Sequence, residues 1–261
     1  MKYDYIECGD CLELMKKIPD KSIDMILCDL PYGTTSCKWD TIIPFEPLWE
    51  QYNRIIKDNG IIALFGSEPF SSKLRMSNLK MYKYDWFWDR KSTSGFLNAK
   101  KRPLKRVEQI IIFSKVTPRY YPIMEVRGKQ RCKGSYNKKL GNGDMIYGKF
   151  NNISVINNMY YPTNLLEFSN AIQKGKVHPT QKPVKLLEYL IKTYTKDGEI
   201  VLDNCMGSGS TCVACINTNR HYIGFEKEPK YFDIACERLE KEKEKLKYKE
   251  YGDGEEDEKE N

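Results

Sequence analysis

Short runs of β-branched and aromatic residues recur along the chain, each stopped by a turn or a polar cluster. Runs at 3–8, 22–28, 60–65, 84–88, 107–113, 199–202 and 222–225 predict strands. Between them apolar residues return at helical spacing. Leu48, Tyr52, Ile55 and Ile56 share one face of a predicted helix over 47–57. Val184, Leu187, Leu190 and Ile191 share one face of another over 183–194, with Pro183 suited to its first turn. A third predicted helix, over 231–246, runs into a Lys/Glu repeat. Strands alternating with helices predict βαβ units and a mostly parallel α/β sheet.

One stretch, 115–176, breaks this pattern. It is rich in Lys, Arg, Asn, Gly and Tyr, and residues 115–139 hold eight basic residues against one acid, Glu125. Its Tyr, Phe and Ile content supports a small core, so it reads as an inserted, loop-rich region rather than a linker. The net charge is +7 overall and −5 over the last ten residues, which leaves +12 on the body. A basic body points to a polyanionic partner, and the acidic tail at 251–261 reads as solvated disorder. Hydrophobic residues make up 40%, enough for a core. No apolar run reaches the roughly 18 residues of a membrane span, and the first residues lack a signal-peptide pattern, so a cytoplasmic protein is expected. Nine cysteines then read as reduced thiols. Cys8/Cys11 and Cys212/Cys215 have CxxC spacing, but no further ligands lie at a usual spacing and there are only two His, so no metal is expected. Cys212 and Cys215 fit a buried apolar helix instead.

Three constellations carry chemistry. Asp203-Asn204-Cys205-Met206-Gly207-Ser208-Gly209-Ser210 follows a strand and opens a helix, where glycines allow close approach of a ligand to free N–H groups. Position 212 is Cys where the dinucleotide fingerprint needs Gly or Ala, which disfavours NAD. Asp203 is placed to face a cationic ligand group. Glu226 lies about twenty residues further on, where an acid binds ribose hydroxyls. Asp29-Leu30-Pro31-Tyr32 follows another strand. There the Asp29 carboxylate and the Leu30 carbonyl are two acceptors, Pro31 stiffens the turn, and Tyr32 offers a flat face. That set suits an amino group on a planar base.

These residues resemble the amino-methylating DNA methyltransferases. Asp29-Leu30-Pro31-Tyr32 looks like their (Asp/Asn/Ser)-Pro-Pro-Tyr signature, with Leu30 in place of the first Pro. Asp203-x-x-x-Gly207-x-Gly209 resembles their S-adenosylmethionine motif, with Ser210 where Thr is usual. His178-Pro179-Thr180-Gln181-Lys182-Pro183 is similar to the segment beside the methionine end of that cofactor, and Asp10 and Cys11 fall in the segment that contacts its adenine ring. The order, catalytic motif first and cofactor motif last, is similar to the β class. The resemblance covers about 1–115 and 176–240.

It implies a Rossmann-like sheet in circularly permuted motif order: a catalytic half at 1–114, a target-recognition insert at 115–176 and a cofactor-binding half at 177–250. It implies S-adenosylmethionine as cofactor, held by Asp10, Cys11, Lys182, Asp203, Gly207, Ser208, Gly209 and Glu226. It also implies catalysis by Asp29, Leu30, Pro31 and Tyr32. The implied partner is double-stranded DNA, with a homodimer left open and no membrane. The expected reaction is methyl transfer to N6 of a flipped-out adenine, since Asp at the head of the signature leans that way. N4-cytosine methylation and a non-catalytic DNA-binding module are the alternatives. Cytosine C5 chemistry is disfavoured, because none of the twelve prolines is followed by the Cys that it needs. The basic loop at 90–106 is expected to border the DNA, and the insert to choose its sequence.

Overall fold

In the computed structural model, which describes residues 2–34, 40–133, 155–170 and 181–252, an eight-stranded sheet carries helices on both faces. In chain order the elements are β1 (Tyr5–Cys8), α1 (Cys11–Met15), β2 (Ile23–Cys28), α2 (Phe45–Ile55), β3 (Ile56–Gly66), α3 (Phe70–Ser77), β4 (Tyr82–Ser94) and β5 (Lys105–Phe113). There follow β6 (Glu125–Lys133), β7 (Val155–Tyr160), β8 (Leu165–Glu167), α4 (Val184–Tyr194), β9 (Ile200–Asp203), α5 (Ser210–Asn217), β10 (His221–Glu226) and α6 (Pro229–Gly252).

The sheet runs β1-β10-β9-β2-β3-β5-β4-β8. Every neighbouring pair is parallel except those that β5 makes with β3 and β4, so only β5 is reversed. This is a Rossmann-like, doubly wound fold. Alternation along β2 shows why both faces are covered. Met25 and Leu27 join the core layer formed with Leu187 and Ile191 of α4, Ala214 of α5 and Leu239 of α6. Ile26 and Cys28 join the opposite layer with Met15 of α1, Leu48 and Tyr52 of α2 and Leu74 of α3. Cys212 and Cys215 are fully buried in α5, packed as small apolar side chains.

The central pair matters most for the site. β2 and β9 lie side by side, Met25 opposite Val201 and Ile26 opposite Leu202. Their carboxyl ends therefore emerge together, with Asp203 on one and Asp29 on the other.

The chain divides into two compact units: residues 2–121 with 164–252, and Pro122–Thr163. The second is narrower than the 115–176 stretch read from composition. Residues 115–121 pack with the sheet unit, where Arg119 pairs with Glu199 and Asp24, and Leu165–Glu167 forms an edge strand beside β4. Within the second unit β6 and β7 form an antiparallel ribbon, irregular between Val126 and Arg131, where Gly128 has φ +52°. Two helix bounds also differ from the sequence pattern. α2 starts at Phe45 and ends at Ile55, and Ile56 begins β3, buried by pairing with Ile23. The tail beyond residue 252 and His178 to Thr180 lie outside the described residues.

Candidate active site

All the chemistry-bearing strand ends of the sheet unit point to one edge, and a cavity of about 460 Å³ opens there. Its lining includes Asp10 and Cys11 after β1, Asp29 to Tyr32 after β2, Asp203 to Ser208 after β9, and Glu226 at the end of β10. Gln181 and Lys182 line it as well. Gly209 is the described motif residue outside that lining. It caps α5 in the left-handed region, at φ +77°, where a Cβ would stand 3.2 Å from that of Ala235. Glycine is thus required for the turn and for close packing of α6.

The geometry around the glycine turn is set by two acids. Glu226 accepts from the Gly207 N–H at Oε2 and from the Glu228 N–H at Oε1, both at 2.8 Å, which fixes the glycine turn against β10. Asp203 is 4% exposed and accepts from the Cys205 N–H at 3.2 Å. Burial pushes its carboxyl up to about 6. Burial also raises Glu226 above the ordinary carboxylate range. No Lys or Arg among the described residues forms an ion pair with either. One buried and one half-buried acid beside a glycine turn suit a ligand with hydroxyls and a cationic group, and oppose a pyrophosphate. Ser208 is held by Arg238, whose guanidinium donates to its Oγ at 2.8 Å and to its carbonyl. Asp10 caps α1 by accepting from the Leu12 N–H at 3.0 Å, and Lys227 approaches it at 3.3 Å.

On the other side, Tyr32 donates its hydroxyl to Asp29 Oδ1 at 2.7 Å. The Tyr32 ring stacks on Phe70 at 4.9 Å and 25°, so one face is covered while the ring still lines the cavity. The Leu30 side chain is buried, which anchors the turn and leaves its carbonyl as the chemical group. Beyond the turn, Gly33 and Thr34 N–H groups donate to the buried Asp40 at 2.8 and 2.9 Å.

Lys182 sits with Asp29. Its Nζ is 2.5 Å from Asp29 Oδ2 and 3.5 Å from Glu108 Oε2, above the Phe65 ring. Burial raises Asp29, and Lys182 pulls it back in part. Burial works against the Lys182 charge, but Asp29 and Glu108 outweigh it and hold its pKa above the ordinary value. Glu108 in turn accepts from Arg90 at 3.0 Å. Neither Glu108 nor Arg90 is among the residues singled out by the motifs. Each is a charged residue in a strand, and the only sequence signal is a lone acid, Glu108, beside a basic loop. Arg106, expected at the DNA border, lies on β5 with a partner of its own. It makes a two-pronged pair with Asp89, both bonds at 2.7 Å, which braces β4 against β5 while the guanidinium stays half exposed. Among the described residues no group of three or more His, Cys, Asp or Glu is arranged to hold a metal ion, and no helix is long and apolar enough to cross a membrane.

This fold and this pairing of motifs define a class, and comparison with known proteins agrees. The chain belongs to the N6/N4 amino-methylating DNA methyltransferases, whose DNA methylase family model matches residues 23–237. It is 29% identical over 252 residues to the type II methyltransferase M.HpaI of Haemophilus parainfluenzae, covering 90% of this chain and 74% of that protein. Its fold is similar to that of the M1.HpyAVI–SAM complex, with TM-score 0.62, 24% identity, and 90% and 98% of the two chains covered. It is also similar to the cytosine-N4-specific PvuII DNA methyltransferase, with TM-score 0.63, 19% identity, and 90% and 86% covered.

Proposed function

We propose that this DNA methyltransferase takes its methyl group from S-adenosylmethionine and places it on N6 of an adenine flipped out of duplex DNA. The observation that carries the reading is the shared edge of β2 and β9, which sets Asp29 and Asp203 on one cavity. The chemistry of the cavity fits the donor. Asp203 offers a carboxylate to a cationic group, Glu226 offers one to ribose hydroxyls, and Asp10 and Cys11 border the end of β1. When bound, S-adenosylmethionine supplies an electrophilic sulfonium methyl.

The chain's own residues then act on the acceptor. An exocyclic amino nitrogen is a poor nucleophile because its lone pair is delocalised into the ring. Asp29 and the Leu30 carbonyl accept its two hydrogens, which favours a pyramidal nitrogen with an available lone pair. Positioning is the main contribution. The Asp29 carboxylate adds electrostatic stabilisation as positive charge develops on that nitrogen. Tyr32, backed by Phe70, offers its remaining face for stacking on the flipped base. The ion pair with Lys182 favours the ionised form of Asp29 and opposes the effect of burial.

Asp at the head of the signature favours adenine over N4 of cytosine. The second unit supplies the sequence reading in this proposal. Its β6–β7 ribbon is an element of the size that enters a major groove, and Arg127, Lys129, Gln130 and Arg131 are exposed on it. Methylation-sensitive sequencing of DNA from cells that express the protein tests base and site together. Modified adenine in one sequence context supports the reading, and modified cytosine N4 replaces it.

A further inference from the structure

The β4–β5 hairpin carries a feature that neither cofactor binding nor the Asp29 site uses. β4 runs parallel to β2 and β3, so its far end at Ser94 emerges on the same edge as Asp29. Arg90 on β4 and Glu108 on β5 line the cavity. The ladder continues past them to the Ser94–Lys105 pair, and the turn that closes it stands beyond the cavity.

That turn is a built structure with an apolar tip. Gly95 enters it at φ +91°, and Asn98 N–H donates to the Gly95 carbonyl at 2.9 Å, Lys101 N–H to the Asn98 carbonyl at 2.8 Å. At its apex Phe96 is 66% and Leu97 101% exposed. Two adjacent large apolar side chains presented to solvent on a hydrogen-bonded turn call for a partner. The surroundings say which kind. Residues 90–107 contain seven Lys or Arg and no acid. Arg90 and Arg106 are committed to Glu108 and Asp89, whereas Lys100, Lys101 and Arg102 are exposed and have no ion-pair partner among the described residues. An apolar point between positive shoulders matches a gap between stacked base pairs flanked by phosphates.

We propose that Phe96 and Leu97 form a wedge that enters the DNA base stack beside the target and fills the space left by the flipped base. The inference rests on the reading that the base leaves the duplex. A wedge lowers the cost of extrusion and does not touch the reacting atoms, so these are positioning residues. A duplex weakened at the target pair needs the wedge less.

The test compares the wild-type protein with Phe96→Ala/Leu97→Ala on duplexes that carry the protein's own site, with 2-aminopurine at the target position for fluorescence and normal bases for turnover. The wedge predicts a fluorescence rise with wild type that the double variant loses. It also predicts that kcat on matched duplex falls by about tenfold or more and recovers to within about threefold when the target faces a mismatch. Donor affinity by calorimetry stays unchanged. A second variant, Lys100→Ala/Lys101→Ala/Arg102→Ala, weakens DNA binding and leaves the mismatch-to-match ratio as in wild type. Full fluorescence and full kcat in the double variant overturn the wedge. So does an equal loss on matched and mismatched duplex accompanied by a change from dimer to monomer, which assigns the tip to contact between copies of the chain. Methyl transfer by wild type without any fluorescence rise overturns base flipping itself, the reading beneath the wedge.

Discussion

Lys182 Nζ lies 2.5 Å from Asp29 Oδ2, a contact between residues 153 positions apart. It joins the entry to α4 with the end of β2, and so ties the C-terminal part of the sheet unit to its N-terminal part. Lys182 is 10% exposed and Asp29 24%, so the pair is shielded from screening more than a surface pair is.

The first prediction concerns Asp29 itself. Asp29→Ala lowers methyl transfer at least about a hundredfold while the donor still binds, because Asp29 faces the acceptor side. The variant also leaves Lys182 with Glu108 as its one remaining acid, so its stability falls by about 1–3 kcal/mol. Asp29→Asn keeps the shape and separates the two effects. Turnover near wild type in either variant contradicts the catalytic assignment.

Removing the cation has a defined sign. Burial raises the Asp29 pKa and Lys182 lowers it, so Lys182→Met moves it up. Catalysis needs the ionised carboxylate, and the acid limb of the kcat/KM profile therefore shifts to higher pH. Lys182→Arg keeps the limb close to its wild-type position. An unmoved limb in the Met variant shows that the pair does not set the charge state of Asp29.

The cofactor side predicts a trade between stability and affinity. The folded-state pKa of Asp203 is raised to about 6 from 3.8, so at pH above 6 the protein holds an uncompensated buried charge. Asp203→Asn removes it. The variant melts higher than wild type at pH 7 to 8, and the difference disappears below about pH 4, where Asp203 is protonated in both states. Donor affinity moves the other way. In wild type it falls as pH drops through 6, by about tenfold per pH unit for the Asp203 titration, and in the Asn variant it is weaker and that part of the pH dependence is lost. Glu226→Ala frees the Gly207 N–H and costs about 1–3 kcal/mol of donor binding. Calorimetry showing unchanged affinity in both variants contradicts the assignment of the cofactor site.

DNA binding by the hairpin tip is testable through salt. Lys100, Lys101 and Arg102 are exposed there. Replacing all three with Ala weakens binding to every sequence about equally and flattens the log–log salt slope by about 0.9 for each phosphate that is no longer neutralised. An unchanged slope marks these residues as solvated surface.

Sequence choice is assigned to the second unit. Exchanging residues 122–163 for the corresponding segment of a relative with another target moves methylation to the other site, with Asp29 and Asp203 still required. A folded, active chimera that modifies the original sequence places recognition elsewhere.

How much of this was legible in the chain follows from what each residue depends on. The runs ending at Asp29, Asp203 and Glu226 were readable because strand ends and glycine turns are local, and the side-by-side placement of β2 and β9 came with the fold that the motif order implied. The Ile55/Ile56 boundary was not readable, because both residues are apolar and both are buried, one by a helix face and the next by a strand pairing. Arg90, Glu108 and the partner of Lys182 were hidden for another reason. Their roles come from three elements meeting at the cavity, and no spacing in the sequence records that meeting. The inserted unit is narrower than its composition suggests because β8 has three residues, too few to show a period, and composition alone does not separate that strand from the loop before it.

The most direct measurement is the chemistry itself. Duplex DNA is incubated with the purified protein and S-adenosylmethionine labelled in its methyl group, digested to nucleosides and resolved by mass spectrometry. The label is predicted in N6-methyladenine with the wild-type protein and absent with Asp29→Asn. Label in N4-methylcytosine, or equal label from the Asn variant, contradicts the assignment.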